Sequence, residues 1–267
     1  MTCPLLVRLT RERATGVLVR DHGALYLADG EVVHAEAPAA PGIEVLLTAS
    51  GRLGPDRWAR AMSSAAPRGE VARHLVDSGE LSGGELEICH LVALHDAAWF
   101  ALAPGSGTGR FRYGVRHWLG RVRPVATRAV EREAERRSRA LDQVWPHPGV
   151  DTAPVLRRAG AAGRRLGPRH RRLLELADGT RTPLAIAHAL GRPAFHTLID
   201  IRRLAADGVI GTPGPAALPG AAGTVPQLPV SPPLPRRAAD HPGARGLPPD
   251  APDTALLRRV RDALGPR

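Results

Sequence analysis

Histidines, glycines, cysteines and arginines in this sequence fall into four sets whose types and spacing have chemical meaning. His90, His95 and Asp96 lie close together, as residues that bind a metal or relay a phosphoryl group would. On a helix, however, a spacing of five sets the two imidazoles about 140° apart, and they do not converge as an i, i+4 pair does. Gly105-Ser106-Gly107-Thr108-Gly109 has the glycine content of a phosphate loop, but it lacks a following Gly-Lys-Ser/Thr and leads into a strand pattern rather than a helix. It reads as a turn. Cys3 and Cys89 are too few for a CxxC metal site or a disulfide framework, and Cys89 sits in an apolar run where a small core residue fits. The eleven histidines are otherwise scattered, with no Ser/His/Asp or paired-carboxylate arrangement. No catalytic, cofactor-binding or metal-ligating residue is expected, and the chain does not read as an enzyme.

The fourth set is arginine. The chain has 37 basic residues, all of them arginine, and a net charge of +11. Residues 105–175 hold 17 arginines against six acids, so the whole excess lies in that segment. An arginine run ending RRLGPRHRR (164–172) precedes a helical unit, and such a run can lie along a nucleic-acid backbone without reading sequence. Arg165, Arg169, Arg171 and Arg172 are its candidate phosphate contacts. The competing reading is a solvated linker in an arginine-biased chain.

Around these sets the elements follow from periodicity. PLLVRLTRER (4–13) suits a short helix, and GVLVR, ALYLA and EVVHAEA read as three strands. Asp21-His22-Gly23 and Asp29-Gly30 are the turns between them, with glycine supplying a positive φ. Helices are expected over 43–50, 55–64, 69–78 and 82–103, the last capped by Ser82 with Glu85 and apolar along Leu86, Ile88, Leu91, Leu94, Ala98 and Trp99. Residues 107–114 return as a strand. Residues 126–145 form a charge-rich helix with a narrow stripe of Val130, Ala134, Leu141 and Trp145. The 29 glycines and 26 prolines are unevenly spread, and residues 213–252 carry twelve of the prolines without periodicity. That stretch is expected to be disordered. No apolar run is long enough to span a membrane and the start lacks a signal-peptide pattern, so a cytoplasmic, reduced protein is expected, with no membrane partner.

The run TGVLVR, GALYLADGEVVHAEA and GIEVLLTASGRL resembles the PATAN domain, an α+β interaction domain of bacterial regulators. The resemblance is carried by Thr15-Gly16-Val17-Leu18, Leu25-Tyr26-Leu27 with Asp29-Gly30, His34-Ala35 before Gly42, and Gly109-Arg110-Phe111. It covers about residues 4–118. The start lacks a full first strand, and residues 52–80 add helical sequence. It implies a small antiparallel sheet with helices and a role in protein interaction.

LGPRHRRLLELADGTRTPLAIAHALGRPAFHTLIDIRRLAADGVIG is similar to a winged helix-turn-helix, with helices at 168–177, 182–190 and 194–206 and Val209-Ile210 as a wing strand. In that reading Phe195, Leu198, Ile199 (or Ile201) and Leu204 face inward. His196, Thr197, Asp200 and Arg203 face outward, and His196, Thr197 and Arg203 join the arginine run as nucleic-acid contacts. Asp200 opposes phosphate, and common base readers are absent from this helix.

The expected organisation is therefore an α+β chain: residues 1–118 PATAN-like, 119–167 helix and arginine-rich linker, 168–212 winged helix, 213–252 disordered and 253–264 a short amphipathic helix. In that last helix Leu256, Leu257, Val260 and Leu264 share a face suited to docking on a partner or on the chain itself. The two halves together imply a transcriptional regulator that associates with DNA. The alternative is a purely protein–protein adaptor of a signalling or small-GTPase complex.

Overall fold

A computed structural model of the chain describes residues 3–105, 107, 109–158 and 166–212. Arg165, the stretch 213–252 and the helix expected at 253–264, with Leu256, Leu257, Val260 and Leu264, lie outside the described residues. The described chain is α+β, a small antiparallel sheet with several helices.

Alternating β-formers build three strands, β1 (Gly16–Arg20), β2 (Gly23–Ala28) and β3 (Glu31–Glu36). Asp29 and Gly30 both have positive φ, 52° and 81°, the conformation a two-residue hairpin needs to match strand twist. Gly23 does not; it enters β2 directly, paired with Arg20. β4 (Arg110–Tyr113) pairs with β1 and β5 (Val125–Ala126) with β3, so the order is β4-β1-β2-β3-β5. Between Tyr26 and Leu27 the β2–β3 register shifts, leaving Val33 as the extra residue of a bulge.

One face of the sheet, with Leu18, Leu25, Leu27 and Val32, packs on α1 (Pro4–Arg11), the second half of α5 (Gly83–Ala101) and the start of α6 (Thr127–Val144). The first half of α5 belongs to a second core with α2 (Ile43–Thr48), α3 (Pro55–Ala65) and α4 (Val71–Asp77), closed by Leu119. Serving two cores buries α5 over most of its circumference. The Ser82–Glu85 capping box starts it as expected. The expected apolar face is corrected at Ile88, which is 61% exposed, and at Leu91 and Trp99, which are only half-buried.

The remaining helices are α7 (Gly149–Thr152), α8 (Pro168–Leu176), α9 (Pro183–Leu190) and α10 (Ala194–Ala206). The segment expected as a linker contributes α7 and β6 (Leu156–Arg157), with Val150 and Val155 buried in the core under α8–α10. Prolines and glycines concealed these two isolated valines, each too short a signal for periodicity. A strand is found one residue on from the expected Val209-Ile210, as β7 (Ile210–Gly211), and among the described residues its partner is β6. Among the described residues no helix is long and apolar enough to cross a membrane.

Candidate functional site

α10 begins at Ala194 after Pro193, which has no side chain able to cap. The cap comes from α5. Asp96, fully buried, accepts the N–H of Ala194 at 2.5 Å and of Phe195 at 3.0 Å. Burial raises its carboxyl above the ordinary range, and the two N–H donors and Arg137 act against that rise. The Arg137 guanidinium donates to Asp96 at 3.0 Å and to Glu133 at 2.9 Å, and sits 4.8 Å over the Phe195 ring. Phe195, Leu198 and Ile199 pack on Leu141 of α6, with Trp99 and Phe100 of α5 at the margin. Ile201 and Leu204 fill the core below. Arg202, 3% exposed, grips both carboxylate oxygens of Asp151 at 2.9 and 2.6 Å and the Trp145 carbonyl at 2.6 Å.

Asp200 is corrected from the surface to the interior. Arg169 holds it through both oxygens and Arg192 donates at 2.8 Å. Its burial favours the neutral acid, but these guanidiniums outweigh that and hold the carboxyl below its ordinary range. Thr197 is likewise corrected, for it is fully buried and its hydroxyl donates to the Pro193 carbonyl at 3.1 Å. Both lie on the side of α10 that carries Ile201 and Leu204, where Arg169 of α8 and Arg192 close over Asp200; α5 and α6 cover the other side through Phe195, Leu198 and Ile199, so α10 has two buried faces. Sequence periodicity showed only one. His196 and Arg203, seven residues apart on one line, stay exposed. Arg171 and Arg172 are exposed on α8 and have no partner among the described residues, whereas Arg169 is committed to Asp200.

A second cluster, missed from sequence because its members come from four segments, lies on the opposite face of the sheet. His34 of β3 stacks on His117 at 3.9 Å between ring centres and faces His90 of α5 at 5.5 Å. Glu36 accepts from His117 Nε2 at 2.9 Å and from the Tyr26 hydroxyl at 3.1 Å. The bulge turns the Val33 carbonyl toward α5, where His90 Nε2 donates to it at 2.8 Å. Burial, then the neighbouring imidazoles, push His34 well below the ordinary histidine value, and burial also lowers His90. Glu36 is raised by burial but more strongly lowered by its donors, so it stays ionised.

His34, Glu36 and His117 offer ligand atoms within 4.8 Å of one another, close enough to ask whether they hold a cation. The hydrogen bonds argue otherwise. The buried Leu119 N–H donates to His117 Nδ1 at 3.2 Å, which puts the ring proton on Nε2, facing Glu36. A cation at Nε2 would require an imidazolate or a broken Leu119 bond, where metal-bound histidines instead donate their second N–H. The set is a hydrogen-bonded relay that fixes ring positions. The expected pair His90 and His95 is not brought together with it; His95 lies toward Arg137 and Glu133.

The cleft beside this relay has a volume of about 410 Å³ and lies between the sheet, the turn Ala66–Gly69 and the loop Val115–Arg121. No known family, characterised protein or solved structure matches this chain at a significant level.

Proposed function

We propose that this chain is a non-enzymatic signalling adaptor, with a PATAN-like N-terminal half that docks proteins and a winged-helix-like module fused to its back. The observation that carries this reading is the burial of Thr197 and Asp200. A helix that enters a DNA groove presents its outer face to base edges; here Thr197 is buried, Asp200 is closed over by Arg169 and Arg192, and His196 and Arg203 alone of the four expected outward residues are exposed. The partner class is a signalling protein such as a small GTPase, in the cytoplasm.

The regulator reading is favoured by one observation, the exposed guanidiniums of Arg171 and Arg172, which have no partner among the described residues. They suit phosphate contacts that give affinity without sequence choice. Gel shifts of the full chain on genomic fragments across a salt series separate the two. The adaptor reading expects weak binding, alike on every fragment and lost steeply with salt. A fragment preferred by about a thousandfold or more would overturn it.

A further inference from the structure

The cleft on the open face of the sheet is braced by hydrogen bonds across its floor and between its lips. Tyr26 and Val33 line its floor. The Tyr26 hydroxyl and the His117 ring are both held by Glu36, and the two rings meet edge to face at 4.6 Å. Its lips are tied together, because the Ala72 N–H at the start of α4 donates to the Leu119 carbonyl at 3.0 Å. Gly120 sits so close to Gly69 that a Cβ there would lie 2.4 Å from the Gly69 carbonyl oxygen. The segment that supplies the Ala66–Gly69 lip is the helical addition by which the sequence departs from the PATAN pattern.

The charge at the mouth is predominantly positive. Arg68, Arg116 and Arg121 line the cleft against a single acid, Asp29. Arg121 reaches Asp29 at 2.9 Å and Arg68 reaches Glu70 at 3.3 Å, both as solvent-exposed pairs of the kind that contribute little. Arg116 has no partner among the described residues. Three guanidiniums from two lips suit a phosphate, which accepts their forked N–H groups from several directions. The aromatic and aliphatic floor suits a flat apolar body. A volume of about 410 Å³ falls within the usual range for a small-molecule site and admits one such body rather than a polymer.

We propose that this cleft binds a small organic phosphate of nucleoside-monophosphate size, its phosphate on Arg68, Arg116 and Arg121 and its ring against the half-buried Tyr26. The preformed walls need little ordering on binding. The site is independent of the adaptor reading, and a test without any partner protein keeps the two distinguishable.

Isothermal titration of the full chain with AMP, adenosine and inorganic phosphate tests it. AMP is expected to saturate the protein about tenfold or more tighter than either fragment, and to weaken as salt is raised. Arg116→Gln, at an exposed position, is expected to lower AMP affinity about tenfold with an unchanged melting temperature, while Arg171→Gln leaves it intact. AMP binding no tighter than adenosine, affinity unchanged in Arg116→Gln, or no saturation below millimolar AMP would each overturn the assignment.

Discussion

Asp96 and Phe195 are 99 residues apart in the chain, yet the carboxylate of one accepts the backbone N–H of the other at 3.0 Å in the buried junction between α5 and α10. The same carboxylate receives Ala194 N–H and Arg137, so one side chain both caps a helix and neutralises a buried guanidinium. This contact makes the C-terminal helices part of the same packed body as the sheet.

Asp96→Ala leaves Arg137 buried beside Phe195 with only Glu133 as counter-charge and removes the cap of α10. A loss of about 3–5 kcal/mol is expected, read as a lower urea midpoint at unchanged slope. Asp96→Asn keeps one acceptor and loses the charge, and is expected to fall between wild type and alanine. A loss below about 1 kcal/mol for alanine would show that the junction is loosely packed.

Gly191 and Gly208 both follow helices with positive φ, 58° and 70°, but their surroundings differ. A Cβ on Gly191 would lie 2.5 Å from the Ala49 Cβ, where α9 meets α2; one on Gly208 meets nothing within 4 Å. Gly208→Ala is expected to cost about 1–2 kcal/mol for the left-handed conformation alone. Gly191→Ala adds about 1–3 kcal/mol of overpacking. Thermal unfolding of the pair, with equal losses, would remove the close approach of α9 to α2.

The hairpin strands, the Asp29-Gly30 turn, the Ser82 cap and the helices from 168 to 206 were legible in sequence, because each rests on local periodicity or turn chemistry. What was not legible depends on distant neighbours. Nothing near Asp200 announces that Arg169 and Arg192 close over it. Val150 and Val155 looked like linker residues because their core comes from β7 and α10. His34 and His117, 83 positions apart in sequence, meet only because the loop after β4 folds over the sheet's open face. A weak signal was present in His117-Trp118, an aromatic pair in a loop where exposed aromatics are unexpected.

Acid should weaken the fold earlier than carboxylate titration alone would. His34, His90 and His95 all have lowered values in the folded chain. As pH falls below about 6.5, the unfolded chain takes up protons that the folded chain refuses, and stability drops. The contribution is complete above that pH and is lost by at most about 1.4 kcal/mol per pH unit for each histidine that stays neutral. Glu36, held below its ordinary range, adds its loss only at lower pH. Urea midpoints from pH 7.5 to 5 are expected to fall steadily, and His34→Phe is expected to make the slope shallower by about one proton. A flat profile would show the imidazoles to be reached by water.

Trp99 was expected in the core of the N-terminal half; instead it lies half-buried at the junction, its ring 6.0 Å from Phe195 in an edge-to-face arrangement. Its indole N–H donates to Ser138 on α6 at 3.0 Å, so the side chain touches α5, α6 and α10 together. A fully buried tryptophan costs about 3–5 kcal/mol when cut to alanine; at half burial Trp99→Ala is expected to cost about 2 kcal/mol, within the common range. The informative quantity is its coupling with Phe195. Trp99→Ala and Phe195→Leu, singly and together, are expected to show an interaction energy of about 0.5–1.5 kcal/mol, as an aromatic pair does beyond area burial. Additive losses would mean that the two rings stabilise separate units, and the packing of α10 on α5 and α6 would then lack one of its supports.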